Sequence, residues 1–168
     1  MSKTSWEAQF IEAYEQWADG IFRHCYVRVS NRELAKDLMQ ETFMRSWQYL
    51  QKGQMIDNLK AFLYRAANNL IIDHYRKHKA DSLDQLQEKG FDVIGERADH
   101  IELGVEYDRA LLLLEKMEDD FRQVLSLRFV EDLSIKDIAQ IVGESPNLVS
   151  VRIHRGLKKL KVLLEESK

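Results

Sequence analysis

Asn147, Ser150, His154, Arg155 and Lys158, with Val151 and Arg152 among them, recur at three- and four-residue intervals near the end of the 168-residue chain. That spacing gathers amide, hydroxyl, imidazole and cationic groups on one side of a helix. Such a row could donate hydrogen bonds to base edges in a DNA major groove and neutralise the phosphates beside it. The elements that must hold the row stand just before it. Ser134 is placed to cap a first helix with Asp137 at its third position, and Ile138, Ala139, Ile141 and Val142 supply that helix's buried side. Gly143 ends it, and Ser145 and Pro146 start the next helix as N-cap and first helical residue. Val149, Ile153, Gly156 and Leu160 form the inward stripe of this second helix. Two capped helices around a glycine turn read as a helix-turn-helix. The competing reading is an ordinary helical hairpin whose cations face water.

Two further rows could bind macromolecules. Between Leu34 and Leu50, Asp37, Gln40, Glu41, Met44 and Gln48 fall on one narrow stripe. Acidic and amide groups suit a basic protein surface better than DNA, whose phosphates they would repel; a solvated helix face is the commoner meaning of such charge. Between Leu59 and Lys77, the residues Leu63, Ala66, Leu70 and Ile71 point inward. Phe62, Arg65, Asn69, Ile72 and Arg76 take the opposite side, with Tyr75 at its margin and Lys77 beside it. Cations for phosphates, rings for stacking and an amide for a base edge are what single-stranded nucleic acid requires. Phe62 and Tyr75 serve equally well as core residues.

One proline and seven glycines in a chain dense in Leu, Ala, Glu, Lys and Arg predict an all-α protein. Trp6 or Phe10, then Tyr14, Trp17 and Ile21, keep helical spacing, so that residues 1–79 form an N-terminal helical bundle. Residues 80–104 lose periodicity and gain Asp, Glu and Gly, as an acidic linker would. Tyr107, Ala110, Leu111, Leu114 and Met117 mark the next helix, and Phe121, Val124, Leu125 and Phe129 another that leads into the helix-turn-helix. The expected architecture is two small helical domains, 1–79 and 105–168. The net charge of −3 hides a division: residues 60–79 and 121–168 are basic, whereas 80–120 carry 13 acidic and 4 basic side chains. Local patches, not net charge, set phosphate affinity.

Other classes recede. No apolar run is long enough to span a bilayer and MSKTSWEAQF lacks the apolar core of a secretory signal, which predicts a cytoplasmic chain without membrane insertion. Cys25, the sole cysteine, cannot make an internal disulfide or a cysteine-based zinc site, and His24 adds only one ligand. It reads as a half-buried packing residue. With no glycine-rich phosphate loop, zinc constellation or nucleophile motif, neither an enzyme nor a cofactor or metal is expected.

The segments DLMQETFMRSW (Asp37 to Trp47) and AFLYRAANNLIIDHYRKHK (Ala61 to Lys79) resemble region two of bacterial sigma factors of the extracytoplasmic-function group. EDDFRQVLSLRFVEDLSIKDIAQIVG and RIHRGLKKL are similar to region four of the same group, in the same order. The resemblance implies an initiation factor that directs core RNA polymerase to promoter DNA, needs no cofactor and leaves the chemistry to the polymerase. It implies that Asp37, Gln40 and Glu41 meet the polymerase clamp helices, that Asn69 sits near a flipped minus-ten base with Arg65 and Arg76 along the separated strand, and that Arg152, His154 and Arg155 lie on the helix entering the minus-thirty-five element. An anti-sigma factor is a further partner it suggests, with the free form a monomer. The chain departs from the family where a Gly-Thr-Val-Lys/Arg-Ser-Arg run is usual: it reads Asn147-Leu148-Val149-Ser150-Val151-Arg152. Leu148 and Val151 cannot donate hydrogen bonds, though either could touch a thymine methyl. Asn68 replaces a frequent arginine, which would remove one phosphate contact. A ligand-sensing helix-turn-helix regulator, or a sigma mimic that binds polymerase or anti-sigma factor without reading promoters, are the alternative functions.

Overall fold

Leucine, alanine and aromatic residues at helical spacing build three long helices in the first half of the chain: α1 (Lys3–Val29), α2 (Arg32–Gln51) and α3 (Leu59–Gln85). A computed structural model describes residues 3–85 and 105–167, and side chains at 5–80, 109–110 and 112–167. Each of the later two helices starts at an asparagine. Asn31 accepts from Leu34 N at 3.0 Å to cap α2, and Asn58 accepts from Ala61 N at 3.0 Å to cap α3. Rings tie α1 to α2: Trp6 to Trp47 at 4.8 Å, Phe10 to Trp47 at 5.0 Å and Tyr14 to Phe43 at 4.8 Å between centroids. Ala13, Ile21, Leu38, Phe43, Leu63 and Ile71 are buried.

The second half folds as α4 (Val105–Glu115), α5 (Asp119–Leu125), a π-helical turn (Ser126–Val130), α6 (Ile135–Val142) and α7 (Pro146–Glu166). The helix-turn-helix forms as its residues dictate. Ser134 Oγ accepts from Asp137 N at 3.1 Å, Ser145 Oγ accepts from Leu148 N at 3.2 Å, and Pro146 opens α7. Gly143 closes α6 at φ 72°, the left-handed region where a Cβ costs most. Val149 and Ile153 are buried, as is Gly156, where a Cβ would stand 3.1 Å from Leu125 Cδ1 and 3.3 Å from Phe121 Cδ1. Gly156 therefore sets how closely α7 lies on α5.

Every described regular element is helical, in agreement with the all-α expectation. Three expectations need correction. First, α3 continues past Lys79 to Gln85, so the start of the 80–104 segment is helix; ADSLDQ contains neither Gly nor Pro to stop it, and residues 86–104 lie outside the described residues. Second, Phe129 is 59% exposed instead of inward. The widened turn, in which Glu131 N donates to Ser126 O at 3.1 Å, inserts an extra residue and rotates Phe129 off the helical stripe. Third, Ala110 is exposed, and Leu113 and Leu114 carry the inner side of α4, with Met117 buried just beyond its end.

The two halves share one core. α3 packs against α1 and α2 and also against α6. Consequently Tyr64, Ala67 and Asn68 are buried in addition to Leu63, Leu70 and Ile71, a far wider arc than one bundle face. Gly143→Ala should lower stability by about 1–2 kcal/mol, the cost of a Cβ in the left-handed region. A urea midpoint by circular dichroism equal to that of the parent protein would contradict this account of the turn.

Candidate nucleic-acid interface

On α7 the rotation of the helix is fixed by Val149 and Ile153 in the core, which turns the residues between them to water. Asn147, Ser150, His154, Arg155 and Lys158 are exposed, and Val151 is 44% exposed. Arg152 is different. It is 19% exposed and paired with Glu144 at 3.8 Å, next to the turn that precedes the helix. Lys159 is held aside by Glu118 at 2.9 Å and lies 4.5 Å above the Phe121 ring. Arg155 and Lys158 are therefore the cations best placed to meet a phosphate backbone along the exposed row.

On α3 the outer row survives burial of the other two sides. Arg65, Asn69, Arg76 and Lys77 are exposed. Phe62 is half-buried with its ring 5.0 Å from Tyr49, and Ile72 is half-buried as well. The Tyr75 ring keeps an exposed face while its hydroxyl donates to Arg28 O, so it can stack without swinging freely. His74, beside Tyr75 and His78, is held below the usual histidine range by burial, then by the charges of His78 and Lys77, and adds no cation to the row at neutral pH.

On α2, Asp37, Gln40, Met44 and Gln48 are exposed and Glu41 is half-buried. Glu41 accepts from Arg45 Nε at 2.5 Å one turn on, leaving Asp37 as the acidic group at the outer edge of the stripe. Met44, 51% exposed, supplies an apolar centre between polar neighbours. That composition fits a protein surface better than a phosphate backbone.

Polar contacts between the two halves were not anticipated from sequence. Glu131, just after the π-helical turn, accepts from Tyr64 Oη at 2.7 Å and from Arg23 Nε and Nη2 at 3.3 Å, and its carbonyl accepts from Lys60 Nζ at 2.9 Å. Burial raises the Glu131 carboxyl above the usual carboxylate range, and the Tyr64 and Arg23 contacts offset this only in part. Burial and the Glu131 charge push the Tyr64 hydroxyl up likewise. One turn along, buried Arg28 pairs with Asp119 at 2.8 Å and donates to Asn68 Oδ1 at 2.8 Å. Asn68 also accepts from Gln123 Nε2 at 2.5 Å and donates to Ile141 O at 3.2 Å. Position 68 is thus turned away from solvent, and the asparagine joins α3 to the helix-turn-helix instead of forgoing a phosphate contact.

Two neighbours of Arg28 are fully buried. Cys25 is wholly rather than half buried, and burial lifts its thiol to about 12. His24, with neither ring nitrogen hydrogen-bonded, is held at about 3 by burial and by Arg28. Among the described residues no group of His, Cys, Asp and Glu is arranged to hold a metal ion, and no helix is long and apolar enough to cross a membrane.

Gly20 is what lets this junction close. A Cβ there would overlap Tyr64 Oη and stand 2.7 Å from Glu131 Oε2. Gly20→Ala should therefore break the Tyr64–Glu131 hydrogen bond and part the halves while α1 itself gains helix propensity. Small-angle scattering should report a larger radius of gyration at unchanged helix content; an unchanged radius would show that the junction does not depend on this close approach.

Comparison with known proteins locates both halves in one family. A Sigma-70 region 2 profile matches residues 12–80 and a Sigma-70, region 4 profile matches residues 107–160, together nearly three quarters of the chain. The chain is 28% identical over 167 residues to the ECF RNA polymerase sigma factor SigW of Bacillus subtilis, covering 94% of this chain and 89% of that protein. It is 26% identical over 157 residues to SigM of the same organism, covering 90% and 93%. Its fold is similar to that of the sigma factor RpoE of Bartonella quintana, solved with the anti-sigma factor NepR, at a TM-score of 0.75 and 21% identity over 95% of this chain and 99% of that one. It is similar also to CnrH, solved with the cytosolic domain of CnrY, at 0.70 and 22% over 96% and 91%.

Proposed function

The chain belongs to the Sigma-70 family, in its extracytoplasmic-function group, and we propose that its three exposed rows divide the work of promoter-directed initiation among them. As a sigma factor it binds core RNA polymerase, recognises promoter DNA and directs transcription initiation, and it is not itself an enzyme. The α2 stripe, Asp37, Gln40, Glu41, Met44 and Gln48, is the polymerase contact. The α3 row, Arg65, Asn69, Arg76 and Lys77 with Phe62 and Tyr75, takes the separated minus-ten strand, the amide reading a base edge and the cations following phosphates. The α7 row, Asn147, Ser150, Val151, His154, Arg155 and Lys158, with Arg152 at its edge, enters the major groove of the minus-thirty-five element. The observation that carries this division is the exposure of two separate nucleic-acid rows, on α3 and α7, in the segments that match region 2 and region 4.

Work on polymerase and DNA assigns the chain to the cytoplasm, and an anti-sigma factor is a partner class the same surfaces can meet. The first unit, which runs to the end of α3 at Gln85, and the second, 105–168, then act as two units joined by residues 86–104. They must part to do so. The longest helices, α1 and α3, have 27 residues, about 40 Å. Two promoter elements some 25 base pairs apart are separated by about 85 Å at ~3.4 Å per step. That span is about twice the length of either helix, and separation of the halves would add the contour of residues 86–104, at most about 65 Å.

Run-off transcription with purified core polymerase tests the division. Asn69→Ala should lower open-complex formation about tenfold while core binding is unchanged. The pair Arg155→Ala and Lys158→Ala should reduce the salt dependence of upstream duplex binding by about two counterions. Promoter initiation that does not depend on the chain at all would favour a sigma mimic or an ordinary regulator.

Parting of the halves is tested by joining them. Asn58 Nδ2 and Asp137 Oδ1 are 3.3 Å apart across the junction. Cysteines at 58 and 137 joined by a reducible bis-maleimide should abolish promoter initiation and recover it on reduction; the buried Cys25 will not compete for the reagent. Full activity of the joined protein would refute the requirement for separation.

A further inference from the structure

The first two turns of α7 hold two apolar side chains out in water, on the part of the helix that would face base edges. Leu148 is 40% exposed and Val151 is 44% exposed. Their spacing places them one turn apart on the same row, and Arg155 and Lys158 continue that row at seven and ten residues from Leu148. Neither apolar side chain can be withdrawn by a small rotation. Val149, fully buried, and Ile153 lock the helix about its axis, while the Ser145 cap and Pro146 fix where it begins. Leu148 and Val151 are therefore held outward by the same contacts that fold the domain.

We infer that Leu148 and Val151 read two neighbouring thymines of the upstream duplex through their C5 methyl groups. The inference rests on the proposal that α7 enters the major groove there. In that geometry the N-terminal residues of the second helix face base edges, and the cations further along face the backbone. Among the base edges of the major groove, the thymine methyl is the one substantial apolar group. A purine opposite either side chain would bring N7, and O6 or N6, against a surface with no donor or acceptor, stripping those atoms of water without replacement. Thymine is thus favoured by apolar contact and purines are disfavoured by desolvation. The rise over three helical residues is about 4.5 Å. One base step is about 3.4 Å, so the two side chains fall on adjacent base pairs. The parallel row of Asn147, Ser150 and His154 remains to donate to the neighbouring edges.

The test uses holoenzyme formed from the full chain and core polymerase. Promoters are selected from a library randomised in the upstream element, and the selected duplex is then remade with single thymines replaced by deoxyuridine. That exchange removes a methyl group and leaves base pairing intact. The parent protein should select two adjacent thymines and lose about three- to fourfold in upstream binding at each deoxyuridine. The variant with Leu148→Ala and Val151→Ala should bind the thymine duplex more weakly, ignore the deoxyuridine exchange and keep the parent salt dependence. Selection without adjacent thymines, or equal sensitivity to deoxyuridine in parent and variant, overturns the inference and leaves the upstream role of α7 standing. Weaker binding of the variant to core polymerase without DNA would give these side chains to a protein partner and overturn it as well. If no upstream sequence is enriched, and Arg155→Ala with Lys158→Ala leaves the salt dependence unchanged, the DNA-reading role of α7 fails and the inference falls with it.

Discussion

Burial of α3 on two sides is the constraint on which the rest of the molecule depends. Leu63 and Ile71 belong to the core, and Tyr64 and Asn68 reach the second half through Glu131, Gln123 and the Ile141 carbonyl. A helix buried on so wide an arc has little free surface, and what remains is the row of Arg65, Asn69 and Arg76. The confinement has a functional value. The backbone that presents those side chains is still packed against α1 and α2 when the second half departs, so the amide and the cations are held by a helical support instead of a loop.

The junction that holds α3 against the second half adds buried polar and charged groups to the apolar core the halves share. Cations come mainly from the first half, Arg23, Arg28 and Lys60, and carboxylates from the second, Asp119 and Glu131. An interface of this kind specifies which surfaces meet, but the cost of desolvating its charges keeps its net strength low. The raised Glu131 carboxyl expresses that cost directly. Two halves that must meet in one geometry and still come apart are well served by groups that water can satisfy as readily as protein.

Local elements were legible in the sequence to the extent that short-range rules govern them. Ser134, Gly143, Ser145 and Pro146 act within a few residues of where they stand, and the caps form as their types dictate. The exposed rows on α2, α3 and α7 follow from periodicity in the same way, although Arg152 is drawn aside by Glu144. What sequence could not supply was long-range. Asn68 has the local character of a surface position but lies against α6, and Gly20 carries no local signal because its need for space arises from Tyr64 and Glu131. Phe129 keeps helical spacing in the sequence; the π-helical turn, flanked by buried Leu125 and Leu133, breaks the period there.

The burial of Cys25 bears on how such a chain can be informed of its surroundings. Oxidants and electrophiles act on thiolates, and this thiol, the sole one in the sequence, is neither ionised nor reachable at neutral pH. Peroxide or disulfide stress therefore has no handle on these 168 residues through sulfur of cysteine. A thiol-directed signal has to arrive secondhand, as a change in what the chain is bound to rather than at its own cysteine.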